Sequence, residues 1–143
     1  MAISTAMCTS FKVELLKGVH NFTASTGNEF KMALYTSSAS LDATTTAYSA
    51  TNEISGTGYT AGGNVIDQVT PTSSSTTALV DFADESWTTA SFTANGAMIY
   101  NNTAAGDPAV CTLAFGSDKT VSSGTFTVQF PTADASNAIL RIA

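Results

Sequence analysis

The sequence predicts an all-β fold, an antiparallel β-sandwich or jelly roll of about eight or nine short strands with little helix. Three observations carry that expectation. Short runs of alternating apolar and polar residues recur along the chain, while no long segment keeps apolar residues at helical spacing. Residues suited to turns close each run. Threonine supplies 24 of the 143 residues, and its β-branched side chain suits a half-exposed pleated surface.

The elements follow in order. Residues 10–16 alternate Phe11, Val13 and Leu15 with Lys12 and Glu14, which reads as a first strand. Residues 29–36 set Phe30, Met32 and Leu34 against Lys31, Ala33 and Tyr35. Residues 65–69 place Val65, Asp67 and Val69 on one face and Ile66 and Gln68 on the other. Further strands are expected at 76–82, 86–93, 97–100, 109–115, 125–130 and 138–142. Between them stand Gly27-Asn28, Gly62-Gly63-Asn64, Pro71 with Ser73-Ser74-Ser75, Gly106-Asp107-Pro108, Gly116-Ser117-Asp118 and Ser122-Ser123-Gly124. Each offers tolerance of positive φ or a side chain that caps its own turn. Asn95-Gly96, between 86–93 and 97–100, is the strongest hairpin signal in the chain.

The length, 143 residues and 14.7 kDa, fits one domain. A folded surface of roughly 6,900 Å² is expected, leaving about two-thirds of the unfolded chain's surface to be buried. The organisation expected is an N-terminal arm over residues 1–10 and a single β-sandwich domain over 11–143, with a long excursion at 37–63. That excursion is low in charge and rich in Ser, Thr, Ala and Gly. Asp42 is placed to cap a helical turn at 43–47, and 52–55 to form a short edge strand. Its Tyr48, Ile54 and Tyr59 point to contact, and so do Ile3 and Met7 in the arm; these five are the candidate protein-interface residues.

Charge narrows the function classes. Only 16 residues are charged, 5 basic and 11 acidic, for a net −6 and a pI near 4.3. Serine (17) and threonine (24) take the place of charge. Five cations neutralise few phosphates, so neither nucleic acid nor an anionic membrane is an expected partner. Residues 1–8 carry neither a basic region nor an apolar core of a secretory signal. With Met1 as the native start, synthesis in a cytoplasm is expected, and Cys8 and Cys111 read as reduced, buried side chains.

Catalytic chemistry finds little support. His20 is the one histidine and reads as a surface-loop residue at the end of a strand. One histidine and two distant cysteines do not make a zinc site. Gly56-Thr57-Gly58-Tyr59-Thr60-Ala61-Gly62 resembles a dinucleotide loop only loosely, since its third glycine is displaced and no helix follows; a mobile loop or a close backbone contact is expected. Asp81, Asp84 and Glu85 lack calcium-loop spacing and read as a solvated turn. No catalytic, cofactor or metal residue is assigned, and a non-enzymatic protein is expected. Trp87, with Tyr59 or Tyr100, is the set available for stacking on a sugar.

Residues 31–63 carry a further pattern: a strand reading KMALY (31–35), a Ser/Thr-rich excursion (36–51), then NEISGTGYTAGG (52–63). DFADESW (81–87) and AMIYN (97–101) follow downstream. Over roughly residues 11–115 this resembles small structural proteins of tailed bacteriophages, and in size and β-rich pattern it looks most like the jelly-roll cement (decoration) proteins of podophage capsids. The resemblance implies a homo-oligomeric virion protein, a dimer or trimer, that binds across major capsid protein subunits on the capsid surface after synthesis in the host cytoplasm. It carries no catalytic or cofactor residues. The alternative it leaves is a tail or fibre component that recognises host carbohydrate.

Overall fold

A computed structural model describes residues 2–143. The order of elements is β1 (Ala6–Met7), α1 (Thr9–Leu16), β2 (Phe30–Tyr35), β3 (Asn64–Ile66), β4 (Gln68–Ser74), β5 (Thr77–Phe82), β6 (Glu85–Asn101), β7 (Ala109–Val128) and β8 (Leu140–Ile142). Strand accounts for 49% of the chain and helix for 6%, so the protein is all-β as the sequence predicts. Two antiparallel sheets form, one ordered β1-β7-β6-β2-β3 and the other β4-β5-β8. They meet through aromatic rings. Phe30 of β2 stacks on Phe22 at 4.3 Å, and both meet Phe82 of β5 edge-on at 6.3 Å. The surface is 7007 Å², close to the value expected from mass.

The expected strands at 29–36 and 76–82 appear as β2 and β5. The run 65–69 divides at Asp67 between β3 and β4, and so links the two sheets. Three expectations are corrected. Residues 10–16 are not a strand but lie within α1. Alternation over seven residues also places Phe11 and Leu15 one helical turn apart, and that face is the one turned inward. The helix closes with the Val19 N–H on the Glu14 carbonyl (3.0 Å) and the Gly18 N–H on that of Leu15 (3.1 Å), a complete Schellman cap.

Asn95-Gly96 is not a hairpin turn. The two expected strands on either side are one continuous β6 of 17 residues, and those after Pro108 are one β7 of 20 residues. Gly96 lies where a Cβ would stand 2.7 Å from the Ile3 side chain and 2.6 Å from the Leu113 carbonyl. It is glycine for close approach, as strand glycines often are. Gly116-Ser117-Asp118 forms a bulge, because between the pairs Ala94–Lys119 and Gly96–Ala114 one residue of β6 faces four of β7. The Asn95 amide donates to Asp118 across it at 2.8 Å.

The third correction is in the N-terminal segment. Residues 2–8 do not project. Ala2 and Ser4 exchange backbone hydrogen bonds with Leu41, Ala6 and Met7 pair with Thr112 and Cys111, and Cys8 is fully buried. Within the excursion, Asp42 caps an Asx turn through Thr44 (2.7 Å to N–H, 2.6 Å to hydroxyl) and no helix follows. Residues 52–55 contribute one bridge, Glu53 to Tyr35, in place of a strand.

Removing residues 2–8 therefore strips an edge strand and opens the core beneath Cys8. Loss of several kcal/mol is expected, a fall in Tm of about 10 °C or more by thermal unfolding. An unchanged Tm would mean that the segment is not part of the fold.

Candidate functional site

The five candidate interface residues are spent inside the chain. Ile3 bridges to Leu41 and packs on Gly96. Met7 pairs with Cys111. Ile54 is buried, its N–H on the Leu34 carbonyl at 3.0 Å. Tyr48 stacks on Tyr100 at 4.7 Å, and Tyr59 lies between Trp87 and Phe92. All five pack against the core, and Tyr48 and Tyr59 belong to the cover of the ribbon formed by β6 and β7.

What organises that cover is Glu53. Its carboxylate accepts the Tyr48 hydroxyl at 2.6 Å, the Tyr59 hydroxyl at 2.5 Å and the Gly62 N–H at 2.7 Å. Tyr59 in turn accepts the Leu34 N–H at 2.9 Å, so the carboxylate is tied to β2. Tyr35 donates to the Ser49 carbonyl (2.7 Å) and Tyr100 to that of Gly62 (2.6 Å). All four tyrosines of the chain thus secure residues 48–62. Burial pushes each phenol up, Tyr48 to about 12 and the other three further, with the Glu53 charge adding to it. The glycines of the NEISGTGYTAGG block serve the same closure: a Cβ at Gly56 would stand 2.5 Å from the Ser91 carbonyl of β6. The close backbone contact expected there is present.

Two further polar groups are corrected. His20 is buried, not on a surface loop. Asn101 accepts the N–H groups of Thr103 (2.9 Å) and Ala104 (3.1 Å) on its Oδ1, which turns its Nδ2 toward His20 Nδ1 and Asn28 Oδ1, both at 3.0 Å. His20 Nδ1 therefore accepts and Nε2 donates, to Glu14 of α1 at 2.6 Å. Asp81 is buried and not a solvated turn, since β5 runs through it. One oxygen accepts the Phe82 N–H at 2.9 Å, the other has no partner, and burial raises its pKa. Cys8 and Cys111 are free and buried, pushed up by that burial to about 11 and about 12, which makes them inert thiols.

The surface feature that sequence reasoning missed is the outer side of α1. Turning 100° per residue, Lys12, Leu16, Val13 and Lys17 fall within an arc of about 140°. Phe11, Glu14 and Leu15 fill the opposite arc, and Glu14, the one acid of the helix, is held by His20. The outer face therefore bears no acid; the exposed hydroxyl residue Thr9 lies within the same arc. Leu16 is 92% exposed, the most of any large apolar residue among the described residues. Lys12, Leu15 and Leu16 meet Met7, Arg141 and Ile142 of β8 around a groove of about 310 Å³. A helical wheel over 9–16 would have found this face; the period-2 reading concealed it. Among the described residues no cluster of three or more His, Cys, Asp or Glu is disposed to hold a metal, and no helix is long and apolar enough to cross a membrane.

Fold and surface together define a two-sheet, all-β protein with an apolar, cationic edge. Compared with protein-family models, with curated proteins and with solved structures, the chain has no match in any of the three.

Two outcomes follow from the buried groups. Glu53→Ala leaves two phenols and an N–H without their charged acceptor, and a loss of about 3 kcal/mol or more is expected by denaturant unfolding. The raised phenol pKa values fix the alkaline sign. The tyrosine contribution to stability is full below about pH 10, the ordinary phenol value, and falls above it, because the phenols of the unfolded chain ionise first. The raised Cys8 and Cys111 thiols act with the same sign from about pH 9. Phenolate absorbance should rise together with unfolding, not before it.

Asp81 gives the opposite case. A carboxyl raised by burial destabilises the fold once ionised, so Asp81→Asn should raise Tm at neutral pH and remove part of the stability gained on acidification toward the ordinary carboxylate range. A lower Tm for Asp81→Asn with the same pH dependence as wild type would contradict this.

Proposed function

We propose that this chain is a structural protein of a tailed-bacteriophage virion. In this reading it is a non-enzymatic capsid cement protein that binds across major capsid protein subunits, stabilises the shell and acts as a homodimer or homotrimer. Its location is the capsid surface, after synthesis in the host cytoplasm. It needs no cofactor, and neither nucleic acid nor membrane is among its partners.

The observation that carries this reading is the block at residues 52–63, on which the resemblance to tailed-phage structural proteins rests, together with its role as the clamp of residues 48–62. Glu53, Gly56, Tyr59 and Gly62 of the block each make a contact that holds a loop of low charge against the ribbon. A cement protein stabilises its shell by mass action, in proportion to how tightly it binds the assembled form. Preordered loops lower the ordering entropy lost on binding. Surface hydroxyls in place of charges lower the desolvation cost.

The carbohydrate alternative draws on Trp87, Tyr59 and Tyr100. Trp87 and Tyr100 are 2% exposed, and the Tyr59 hydroxyl is held by Glu53, so these rings offer no open face for a sugar.

Copy number tests the assignment. A stained gel of purified virions should show several hundred copies per particle, on the order of one per capsid-lattice contact. A few to a few dozen copies would place the protein in the tail and end the cement reading.

A further inference from the structure

Six large apolar side chains are strongly exposed, and they fall into two groups. Val13 (49%), Leu16 (92%), Val19 (36%) and Ile142 (59%) lie on or beside α1 and β8. Val65 (46%) and Val69 (49%) lie on β3 and β4. The groups sit at opposite edges of each sheet, although Pro71 of β4 lines one cleft with Leu15 of α1 and Ile142 of β8. In the larger sheet β1, which leads into α1, is one outer strand and β3 is the other. In the smaller sheet β8 is one outer strand and β4 the other. Four inter-strand steps, roughly 19 Å, separate the edges of the larger sheet.

Charge divides the same way. Lys12, Lys17 and Arg141, three of the five cations of the chain, border the α1/β8 group. Arg141 is partly offset by Asp134, whose pKa it helps lower. The β3/β4 group carries acids in excess, beside one cation, Lys31, which stands opposite Val65 on β2. Asp67 lies between the two valines, at the break where the chain passes from β3 to β4, and is exposed. Asp84 and Glu85 adjoin it, through the Ala83 N–H on the Asp67 carbonyl (2.9 Å) and the Asn64 amide on Glu85 (2.7 Å).

We propose that the α1/β8 edge of one molecule docks on the β3/β4 edge of a second copy. Leu16 and its apolar neighbours would pack on Val65 and Val69, with Lys12 and Lys17 facing Asp67 and Asp84. Two-fold contact of either edge with itself sets like charges together: lysines on lysines, or carboxylates on carboxylates. Opposite edges leave a head-to-tail contact, which gives a ring of three or more where its rotation closes and an open filament where it does not, but not a two-fold dimer. A standard interface takes roughly 800 Å² from each partner, a small share of the 7007 Å² surface even when both edges are used. The proposal goes beyond the assembly role given above. It concerns the free protein, so its failure leaves the copy number on virions untouched.

Sedimentation velocity of the full chain in low salt, at about 100 μM, provides the test. Wild type is expected as an assembly of at least three, with association weakened tenfold or more by salt at several times the Debye-screening range. Leu16→Asp and Asp67→Lys each alter an exposed side chain, and each should sediment as a monomer with an unchanged circular-dichroism spectrum. An equimolar mixture of the two retains one sound contact and should give a dimer and nothing larger. Three results overturn the proposal. One is a monomeric wild type. Another is loss of association in Leu16→Asp alone, with Asp67→Lys unaffected and no dimer in the mixture. The third is a monomer that instead sediments with phosphatidylglycerol vesicles, which would assign the edge to lipid.

Discussion

The pairing of β6 with β7 sets the position of everything else. It runs from Glu85 opposite Val128 to Tyr100 opposite Ala109. At the Tyr100 end the ribbon is the centre of a sheet, with β2 on one side and β1 on the other. At the Glu85 end no strand flanks it, yet Trp87, Ala90, Phe92 and Ala94 point away from solvent. Apolar rings on an unflanked ribbon need a cover, and residues 54–62 are that cover. Thr57 bridges to Ser91, and Tyr59 reaches Trp87 and Phe92. A long loop without its own secondary structure is here the missing layer of a core. Glu53 holds it because one carboxylate can accept from several donors at once, with charge-assisted strength that serine and threonine lack.

That dependence explains what was legible in the sequence. The strands at 29–36 and 76–82 show because their two faces differ in polarity and nothing competes with period two. The ribbon was divided wrongly at Asn95-Gly96 and at 116–118 because residues that permit a turn also permit a bulge. The choice between them rests on partners distant in sequence, such as Ile3 against Gly96 and Asn95 against Asp118. The helix at 9–16 was missed for a different reason. Over so short a span, helical and alternating placements share Phe11 and Leu15, and the Gly18 cap that decides between them lies outside the run.

Burial of His20 and Asp81 was illegible on similar grounds. Each stands in a polar local context, beside Asn21 or near Asp84, and each is enclosed by residues far away in the chain. Tyr48, Ile54 and Tyr59 were read as contact residues, and their contacts lie within the chain: apolar residues in a polar loop mark a buried face without saying whose. The exposed side of α1 is the converse, apolar residues that a strand reading sent to the core.

The low charge of the chain takes on a definite distribution in three dimensions. Serine and threonine outnumber charged residues 41 to 16, and burying a hydroxyl that finds a partner costs far less than burying an ion. Such a surface can be brought against another with little desolvation penalty, but hydroxyls spread evenly over strands do not distinguish one orientation from another. Orientation needs a few charges held apart. Lys12 and Lys17 at one edge, and Asp67 with Asp84 at the other, are charges of that kind, each set beside exposed valine or leucine. Electrostatic complementarity then fixes register and rejects the wrong pairing, while apolar contact supplies affinity. A more heavily charged surface would blur that distinction. In the proposed contact between copies, scarcity of charge would lower the desolvation cost and its polar arrangement would make the contact directional.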